Sequence, residues 1–199
     1  MRKAPRLNAD MLLAAYATGY FPMADEETGE INWYSPERRA IIPIETYRSS
    51  RSLRQLVKKD LFAVRIDTRF EAVMRGCAGR RKDHEGTWIS EEMVAAYTAL
   101  HRLGFAHSVE TYHENTLVGG LYGVAIGAAF FGESMFYRMP NASKVAMHVL
   151  MERLRQRGYA LLDSQFMNPH VARLGAIEIP RAEYLKRLKA AIAQQVRFA

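Results

Sequence analysis

A glycine-rich apolar stretch limits the folds that this chain can adopt. Residues Leu117–Phe131 are almost entirely apolar and include four glycines. A membrane-spanning helix needs about 20 apolar residues, so this stretch is too short for a span. The turn residues Glu114 and Asn115 come directly before it. The pattern predicts buried strands that are antiparallel neighbours at the centre of a sheet.

Helical and extended patterns alternate along the rest of the chain. Asn8 can cap a first helix, which Gly19 ends, and Ser90 can cap a later one. The sequence pattern predicts helices over residues 9–18, from Ser49 or Ser50, from about 69, after Ser90, over 142–157 and over 181–196, and strands over 39–45, 61–66, 108–110 and 159–163. We therefore predict an α+β fold, a mixed β-sheet with helices on its faces.

The composition is that of one globular domain, with room for a small attachment. The 199 residues are 49% hydrophobic, which is enough to bury a core. Cys77 is the single cysteine, which excludes an intramolecular disulfide and a multi-cysteine zinc site. The six histidines do not follow metal-ligand spacings, so we expect no metal. Because no signal-peptide pattern follows Met1, we expect a cytoplasmic protein.

The net charge favours a polyanionic partner or an anionic membrane surface. Lysine and arginine number 28 against 21 acidic residues, which gives a net charge of +7. One basic cluster, Arg51, Arg54 and Lys58, has helical spacing, and a second lies in a turn before Trp88 and consists of Arg80, Arg81 and Lys82. Either cluster could equally be a solvated helix face or an ordinary surface loop.

Glu133 lies among apolar residues, where a charge needs a partner. It follows Gly132 at the end of the apolar stretch, and an unpaired charge buried there would cost several kcal/mol. The partner could be the amino group of a substrate. The structural alternative is Lys144 or a nearby arginine.

Asp163 and Gln165 end a predicted strand two residues apart. Side chains at i and i+2 of a strand point the same way, so the two should project together. An ionised Asp163 that accepts from the Gln165 amide would leave the amide oxygen free to accept from an amine. The alternative is a polar strand end that hydrogen-bonds to a loop.

The two tryptophans, Trp33 and Trp88, each lie beside a polar or turn segment rather than within an apolar run. Stacking on a nucleobase would explain this placement. Packing at a seam between domains would explain it too.

Several short motifs in order resemble one family. They are Gly19-Tyr-Phe-Pro-Met23, Trp33-Tyr-Ser-Pro36, Gly86-Thr-Trp-Ile89, Ala106-His-Ser-Val-Glu110, Leu117-Val-Gly-Gly-Leu-Tyr-Gly123 and Phe131-Gly-Glu-Ser-Met-Phe136, followed by Asn141-Ala-Ser-Lys144 and Leu162-Asp-Ser-Gln165. Together they resemble the leucyl/phenylalanyl-tRNA–protein transferases over nearly the whole chain.

The resemblance implies a fold and a set of site residues. It implies an acetyltransferase (GNAT)-like domain over residues 61–199, preceded by a small N-terminal α/β domain over residues 1–60. By the same resemblance, Asp163 and Gln165 are catalytic and the two tryptophans hold the 3′-terminal adenosine. Glu133 joins the catalytic candidates because of its charge among apolar residues, and the two basic clusters are candidate tRNA contacts because of their charge. The implied substrate-binding residues also include an apolar amino-acid pocket: Leu121, Phe130, Ser134, Met135, Leu150 and Leu162.

The implied activity moves leucine or phenylalanine, with methionine as a third candidate, from aminoacyl-tRNA to the N-terminal amine of proteins that begin with Arg or Lys. This transfer marks the acceptor for N-degron-dependent degradation. The ester is already activated, so the reaction requires no cofactor. Two other functions stay open: acetyl transfer from coenzyme A, although the loop that usually binds its pyrophosphate is absent from the sequence, and RNA binding without catalysis.

Overall fold

The computed structural model describes residues 6–25, 27–79 and 87–199. Within these ranges there are seven helices: α1 (Ala9–Ala17), α2 (Arg51–Val57), α3 (Phe70–Ala78), α4 (Glu91–Arg102), α5 (Ala142–Arg157), α6 (Pro169–Arg173) and α7 (Arg181–Ile192). The same ranges contain nine strands: β1 (Phe21–Ala24), β2 (Ile31–Tyr34), β3 (Arg38–Ile41), β4 (Ala63–Ile66), β5 (Ala106–His113), β6 (Thr116–Ile126), β7 (Ala129–Tyr137), β8 (Leu161–Gln165) and β9 (Ile177–Pro180).

Seven of the strands form one sheet, in the order β4-β5-β6-β7-β8-β3-β9. Its neighbouring strands are antiparallel except for β7 and β8, which run parallel. Strands β1 and β2 form a separate antiparallel hairpin. The predicted α+β fold with a mixed sheet is confirmed. Strand β3 precedes residue 60, yet it lies between β8 and β9 in the large sheet.

Two hydrophobic cores contain residues from the large sheet. The first includes buried side chains of α1, α3, α4 and α7. The second includes buried side chains of α5 from Ala146 to Leu154, together with Phe198. Adjacent residues of one strand enter different cores, as Phe131 and Phe130 of β7 do, because successive side chains of a strand point to opposite faces. The architecture is therefore a sheet with helices on both faces.

Local capping explains where several helices begin and end. The side chains of Asn8, Ser50 and Ser90 accept hydrogen bonds from the first-turn backbones of α1, α2 and α4. Gly19 and Gly158 follow helix ends with φ of +84° and +77°, a conformation that glycine adopts without steric cost. These caps confirm the helix ends that the sequence predicts.

The sequence does not predict three short elements: the β1–β2 hairpin, α6 and β9. Each of their strands has four residues and α6 has five, which is too short for hydrophobic periodicity to be visible.

The glycine-rich apolar stretch forms β6 and the start of β7. Glu114 and Asn115 form the preceding turn with φ of +48° and +62°, as the predicted hairpin requires. In the described parts of the chain, no helix is long and apolar enough to cross a membrane.

Strands β7 and β8 separate near the middle of the sheet. Their pairing runs from Ala129 opposite Leu161 to Phe131 opposite Asp163, although β7 continues to Tyr137. Beyond this point, side chains rather than backbone groups connect the two strands. This separation positions the site described below.

The packing at the centre of the sheet can be tested by substituting two glycines, Gly123 of β6 and Gly132 of β7, which pair with each other. A Cβ added at Gly123 would lie 2.3 Å from the carbonyl oxygen of Phe131 and 2.4 Å from the Phe130 ring. We expect Gly123→Ala to lower the free energy of unfolding in urea by about 1–3 kcal/mol through overpacking. Its partner Gly132 is the control, since a Cβ there approaches no atom closer than 3.4 Å. Equal losses for both variants would contradict this account.

Candidate active site

A β-bulge directs Glu133 into the site. Tyr122 and Gly123 of β6 pair with Ser134 and Gly132 of β7, so Glu133 is an extra residue between two pairs. A bulge reorients the side chain of its extra residue. Glu133 thereby reaches the first core, where α1 and α4 supply its neighbours.

Three uncharged groups donate hydrogen bonds to the Glu133 carboxylate. The Tyr16 hydroxyl lies 2.7 Å from Oε1, the Gln165 Nε2 amide lies 2.8 Å from Oε1, and the Tyr97 hydroxyl lies 3.4 Å from Oε2. The two tyrosine hydroxyls also hydrogen-bond to each other. Among the described residues, no basic side chain forms an ion pair with Glu133. The structural alternative of an ion pair with Lys144 is therefore not found.

Burial raises the pKa of Glu133 to about 7, although the hydrogen bonds from Tyr16 and Gln165 act to lower it. The nearby charge of Asp163 adds to the increase. Burial and the Glu133 charge also raise the pKa of Tyr16 and Tyr97, so both tyrosines remain hydrogen-bond donors. Glu133 is thus a carboxylate that changes its charge near neutral pH.

Gln165 ends β8 in a left-handed backbone conformation, with φ of +65°. Its backbone N–H donates to Asp163 Oδ1 at 2.9 Å, whereas its side-chain amide donates to Glu133. No described residue donates to the amide oxygen of Gln165. That oxygen can accept a hydrogen bond from a substrate amine.

The predicted contact between Asp163 and the Gln165 amide is therefore wrong. Strand β3 pairs with β8 at Gln165 and Asp163 through consecutive residues, Ala40 and Ile41, so Ser164 is an extra, bulged residue. The bulge breaks the regular alternation of side chains on which the prediction depends. Asp163 contacts the backbone of Gln165, and Glu133 holds its amide.

Asp163 is fully buried and has several hydrogen-bond donors of its own. Arg39 of β3 binds it through both oxygens, with Nε 2.8 Å from Oδ1 and a terminal nitrogen 2.6 Å from Oδ2. The Tyr184 hydroxyl of α7 donates to Oδ2 at 2.7 Å. A carboxylate that accepts from a fork-shaped guanidinium and a hydroxyl is held in one orientation.

Arg39 is a site residue that the sequence analysis missed. Only 1% of it is exposed, and its guanidinium lies between the rings of Phe21 and Tyr184, 4.5 Å from each centroid. It also donates to the carbonyl of Gly19 at 3.1 Å. Burial acts to lower the pKa of Arg39, but the Asp163 carboxylate, together with Tyr184 and Glu133, raises the pKa overall. An arginine directly before the apolar run from Ala40 to Ile42 is the one sequence signal that could have identified it.

The predicted pocket residues come together on the second face of the sheet. Four are buried in the second core: Leu121, Phe130, Leu150 and Leu162. Met135 is half-buried and packs against them, and Ser134 is also half-buried beside Glu133. The apolar cluster therefore lies on the face of β7 and β8 that is opposite to the first core, into which Glu133 projects.

The two tryptophans lie on either side of β1. Trp33 of β2 pairs with Pro22, and the carbonyl of Trp88 accepts from the Ala24 backbone at 3.1 Å. Both side chains are half-buried and pack on the first core. The structure thus gathers the two predicted adenosine contacts around one hairpin.

The first basic cluster lies exposed on α2 and at its end. Arg51, Arg54 and Lys58 line an open cavity of about 230 Å³. An adjoining cavity of about 250 Å³ contains Lys59 and Lys144. The second predicted cluster, Arg80, Arg81 and Lys82, lies outside the described residues, as does Gly86 of the motif before Trp88. Within the described ranges, no three acidic, histidine or cysteine side chains could hold a metal ion together.

Comparison with known families decides the relationship. A family model described as leucyl/phenylalanyl-tRNA protein transferase matches residues 41–189, and a model of the N-terminal domain of the same family matches residues 6–37. The chain belongs to this family. A leucyl/phenylalanyl-tRNA–protein transferase of Prosthecochloris aestuarii is 50% identical over 96% of this chain and 99% of its own length. One of Chlorobium limicola is 52% identical over 94% of this chain and 96% of its own length.

The relationship confirms the resemblance and the enzyme class, an aminoacyltransferase family that uses aminoacyl-tRNA. It does not favour the acetyltransferase or the non-catalytic alternative. Among solved structures, FemX aligns with a TM-score of 0.57 at 13% identity, over 86% of this chain and 66% of FemX. That likeness shows a shared fold.

Two neighbouring arginines test the buried ion pair. We expect Arg39→Met to lower the free energy of unfolding by about 3–5 kcal/mol, because it leaves the Asp163 charge buried and unpaired. Arg38→Met is the matched control: Arg38 pairs with Glu178 at 3.4 Å on the surface, and exposed pairs contribute about 0–1 kcal/mol. Urea unfolding measures both. Similar losses for the two variants would show that Arg39 stabilises the fold no more than a surface arginine.

The pKa of Glu133 predicts a pH dependence of stability. Since the pKa rises from its ordinary 4.5 in the unfolded chain to about 7 in the folded protein, the folded state binds more protons between these values. Stability from this group is therefore present below pH 4.5 and lost as pH rises toward 7. We therefore expect the melting temperature of Glu133→Gln, measured relative to that of the unmodified protein, to increase steadily as the pH is raised from 5 to 8. A constant difference across this range would contradict the raised pKa.

Proposed function

We propose that this protein transfers leucine or phenylalanine, with methionine as a third candidate, from aminoacyl-tRNA to the N-terminal α-amine of proteins that begin with Arg or Lys. One observation carries the proposal beyond family membership. The Gln165 amide is fixed by Glu133 so that its oxygen can accept a hydrogen bond, and the same two strands, β7 and β8, contribute to an apolar cluster that suits a leucine or phenylalanine side chain.

The reaction is aminolysis of an ester. The acceptor nitrogen attacks the ester carbonyl, the carbonyl carbon becomes tetrahedral, and the bond to the ribose oxygen then breaks. The amine loses one proton and the leaving ribose oxygen gains one, so the reaction balances without a cofactor. Catalysis then consists of positioning and of help with this proton transfer.

Gln165 is the group that would contact the attacking amine. Its amide oxygen accepts an N–H hydrogen bond and directs the nitrogen lone pair to the carbonyl. Glu133 supports this role, because a carboxylate that accepts from Nε2 determines which way the amide faces.

Asp163 would act at a distance from the amine. It contacts the Gln165 backbone rather than the amide, and its other contacts are with Arg39 and Tyr184. We therefore assign Asp163 to positioning: it holds the left-handed backbone from which the Gln165 side chain projects.

Glu133 has a second proposed role as an anionic contact for a substrate. Its donors are all neutral, so the ionised carboxylate keeps a negative charge that can bind an amino or guanidinium group. The donor's own α-amino group and the basic acceptor terminus both have this chemistry.

The remaining predicted contacts divide between the two ends of the donor. Leu121, Phe130, Met135, Leu150 and Leu162 would surround the amino-acid side chain, with Ser134 at the edge. Trp33 and Trp88 would stack on the terminal adenosine. Arg51, Arg54 and Lys58 of the exposed α2 surface would bind tRNA phosphates, as would Arg80, Arg81 and Lys82.

The finer fold and location assignments are also proposals. We propose an acetyltransferase (GNAT)-like domain over residues 61–199 and a small N-terminal α/β domain over residues 1–60, in a cytoplasmic protein. The large mixed sheet with helices on both faces supports the first of these, and among the described strands β3 is the one that this sheet takes from before residue 60.

A transfer assay tests the function. The purified protein is incubated with radiolabelled Leu-tRNA and with otherwise identical proteins that begin with Arg, Lys or Ala. We expect label on the first two and not on the third. Acetyl-coenzyme A replaces the charged tRNA in a control, where we expect no modification. Acetylation without aminoacyl transfer would overturn the proposal.

The role of Gln165 is tested in the same assay. We expect Gln165→Ala to reduce kcat by about 100-fold, the lower range for a lost group in proton transfer, with unchanged binding of Leu-tRNA. Gln194→Ala, at an exposed position just after α7, is the control. Normal turnover in a folded Gln165→Ala variant would remove Gln165 from the mechanism.

A further inference from the structure

Phe198 is a buried aromatic residue that follows α7 and packs in the second core, next to the proposed amino-acid pocket. Only 2% of it is exposed. Its ring stacks on Phe130 with centroids 5.2 Å apart and contacts Tyr159 edge-on at 6.3 Å. Phe130 is one of the proposed pocket residues, so Phe198 contacts the proposed pocket through Phe130 and does not itself line it.

The Phe130 ring is also packed against the backbone of β6 and against Tyr159. A Cβ at Gly123 would lie 2.4 Å from this ring, so the backbone of β6 is already in contact with it. Tyr159 packs edge-on against Phe130 at 6.3 Å. If the residue at 198 were smaller, the space that the Phe198 ring now fills would be open to the Phe130 ring.

Phe198 is held in place by contacts with its ring and its backbone. The imidazole of His107 stacks on the ring at 4.4 Å, and Asp67 Oδ2 fixes that imidazole through Nδ1 at 2.8 Å. The guanidinium of Arg153 lies 5.0 Å from the ring centroid, and its Nε donates to the Phe198 carbonyl at 2.7 Å. These contacts fix both the ring and the backbone of Phe198.

We propose that Phe198 determines the depth of the amino-acid pocket, and so the preference between leucine and phenylalanine donors, by supporting Phe130 from behind. The inference rests on the proposed function. With Phe198 in place, Phe130 cannot retreat, and the pocket favours the smaller side chain. A smaller residue at 198 allows Phe130 to move away from the pocket, which benefits the larger donor more.

The test is a competition reaction that contains equal amounts of Leu-tRNA and Phe-tRNA with different labels. The ratio of the two products does not depend on how much of the enzyme is folded. We expect Phe198→Leu to change the ratio in favour of phenylalanine by about 10-fold, the size of a one-methylene difference in an apolar pocket. Arg153→Met loosens Phe198 without shortening it, and we expect a smaller change in the same direction.

Phe70→Leu is the matched control. Phe70 is 3% exposed and stacks on an imidazole, that of His101, at 4.5 Å, but it lies in the first core. We expect it to lower the melting temperature as Phe198→Leu does, with the product ratio unchanged. An unchanged ratio in both Phe198→Leu and Arg153→Met, with transfer intact, would overturn this inference alone. Absence of transfer by the unmodified protein would overturn the proposed function as well.

Discussion

The buried ion pair of Arg39 and Asp163 is the interaction on which the geometry of the site depends. Arg39 connects β3 to the carbonyl of Gly19, just after α1. Asp163 connects β8 to α7 through Tyr184. Burying both charges costs free energy that only good geometry recovers. The two-point contact, the aromatic rings on either side and the backbone donor at Gln165 supply that geometry. The conformation of Gln165 is thus a consequence of how α1, β1, β3, β8 and α7 meet, with β1 contributing the Phe21 ring.

Two carboxylates on neighbouring strands have opposite environments, and this difference separates their roles. Asp163 is paired with a guanidinium inside the protein, so its charge is already compensated. Glu133 has only neutral donors, and burial raises its pKa to about 7. A compensated carboxylate suits a structural anchor. A carboxylate without a cation can respond to a charged substrate or to pH.

The sequence predicts those features that depend on neighbouring residues. Asn8 and Ser90 cap the helices they were expected to cap, and Gly158 ends α5, because caps act within a few residues. Arg39 and Asp163 are 124 residues apart, and Tyr16 and Glu133 are 117 apart, so no local pattern joins them. The bulges at Glu133 and Ser164 are also invisible in the sequence. For that reason Asp163 and Gln165 were expected at the site, but with the wrong contact between them.

The parallel pairing of β7 and β8 explains why these distant residues meet at all. Strands that run parallel place their carboxyl ends at the same edge, so the residues beyond Phe131 and Asp163, where pairing stops, emerge side by side. An antiparallel arrangement would send Glu133 and Gln165 to opposite ends of the sheet. Because the backbone pairing has already ended there, the two strands are connected by side chains instead. The connection is the 2.8 Å hydrogen bond that the Gln165 amide donates to the Glu133 carboxylate. The site is therefore the place where a continuous sheet opens.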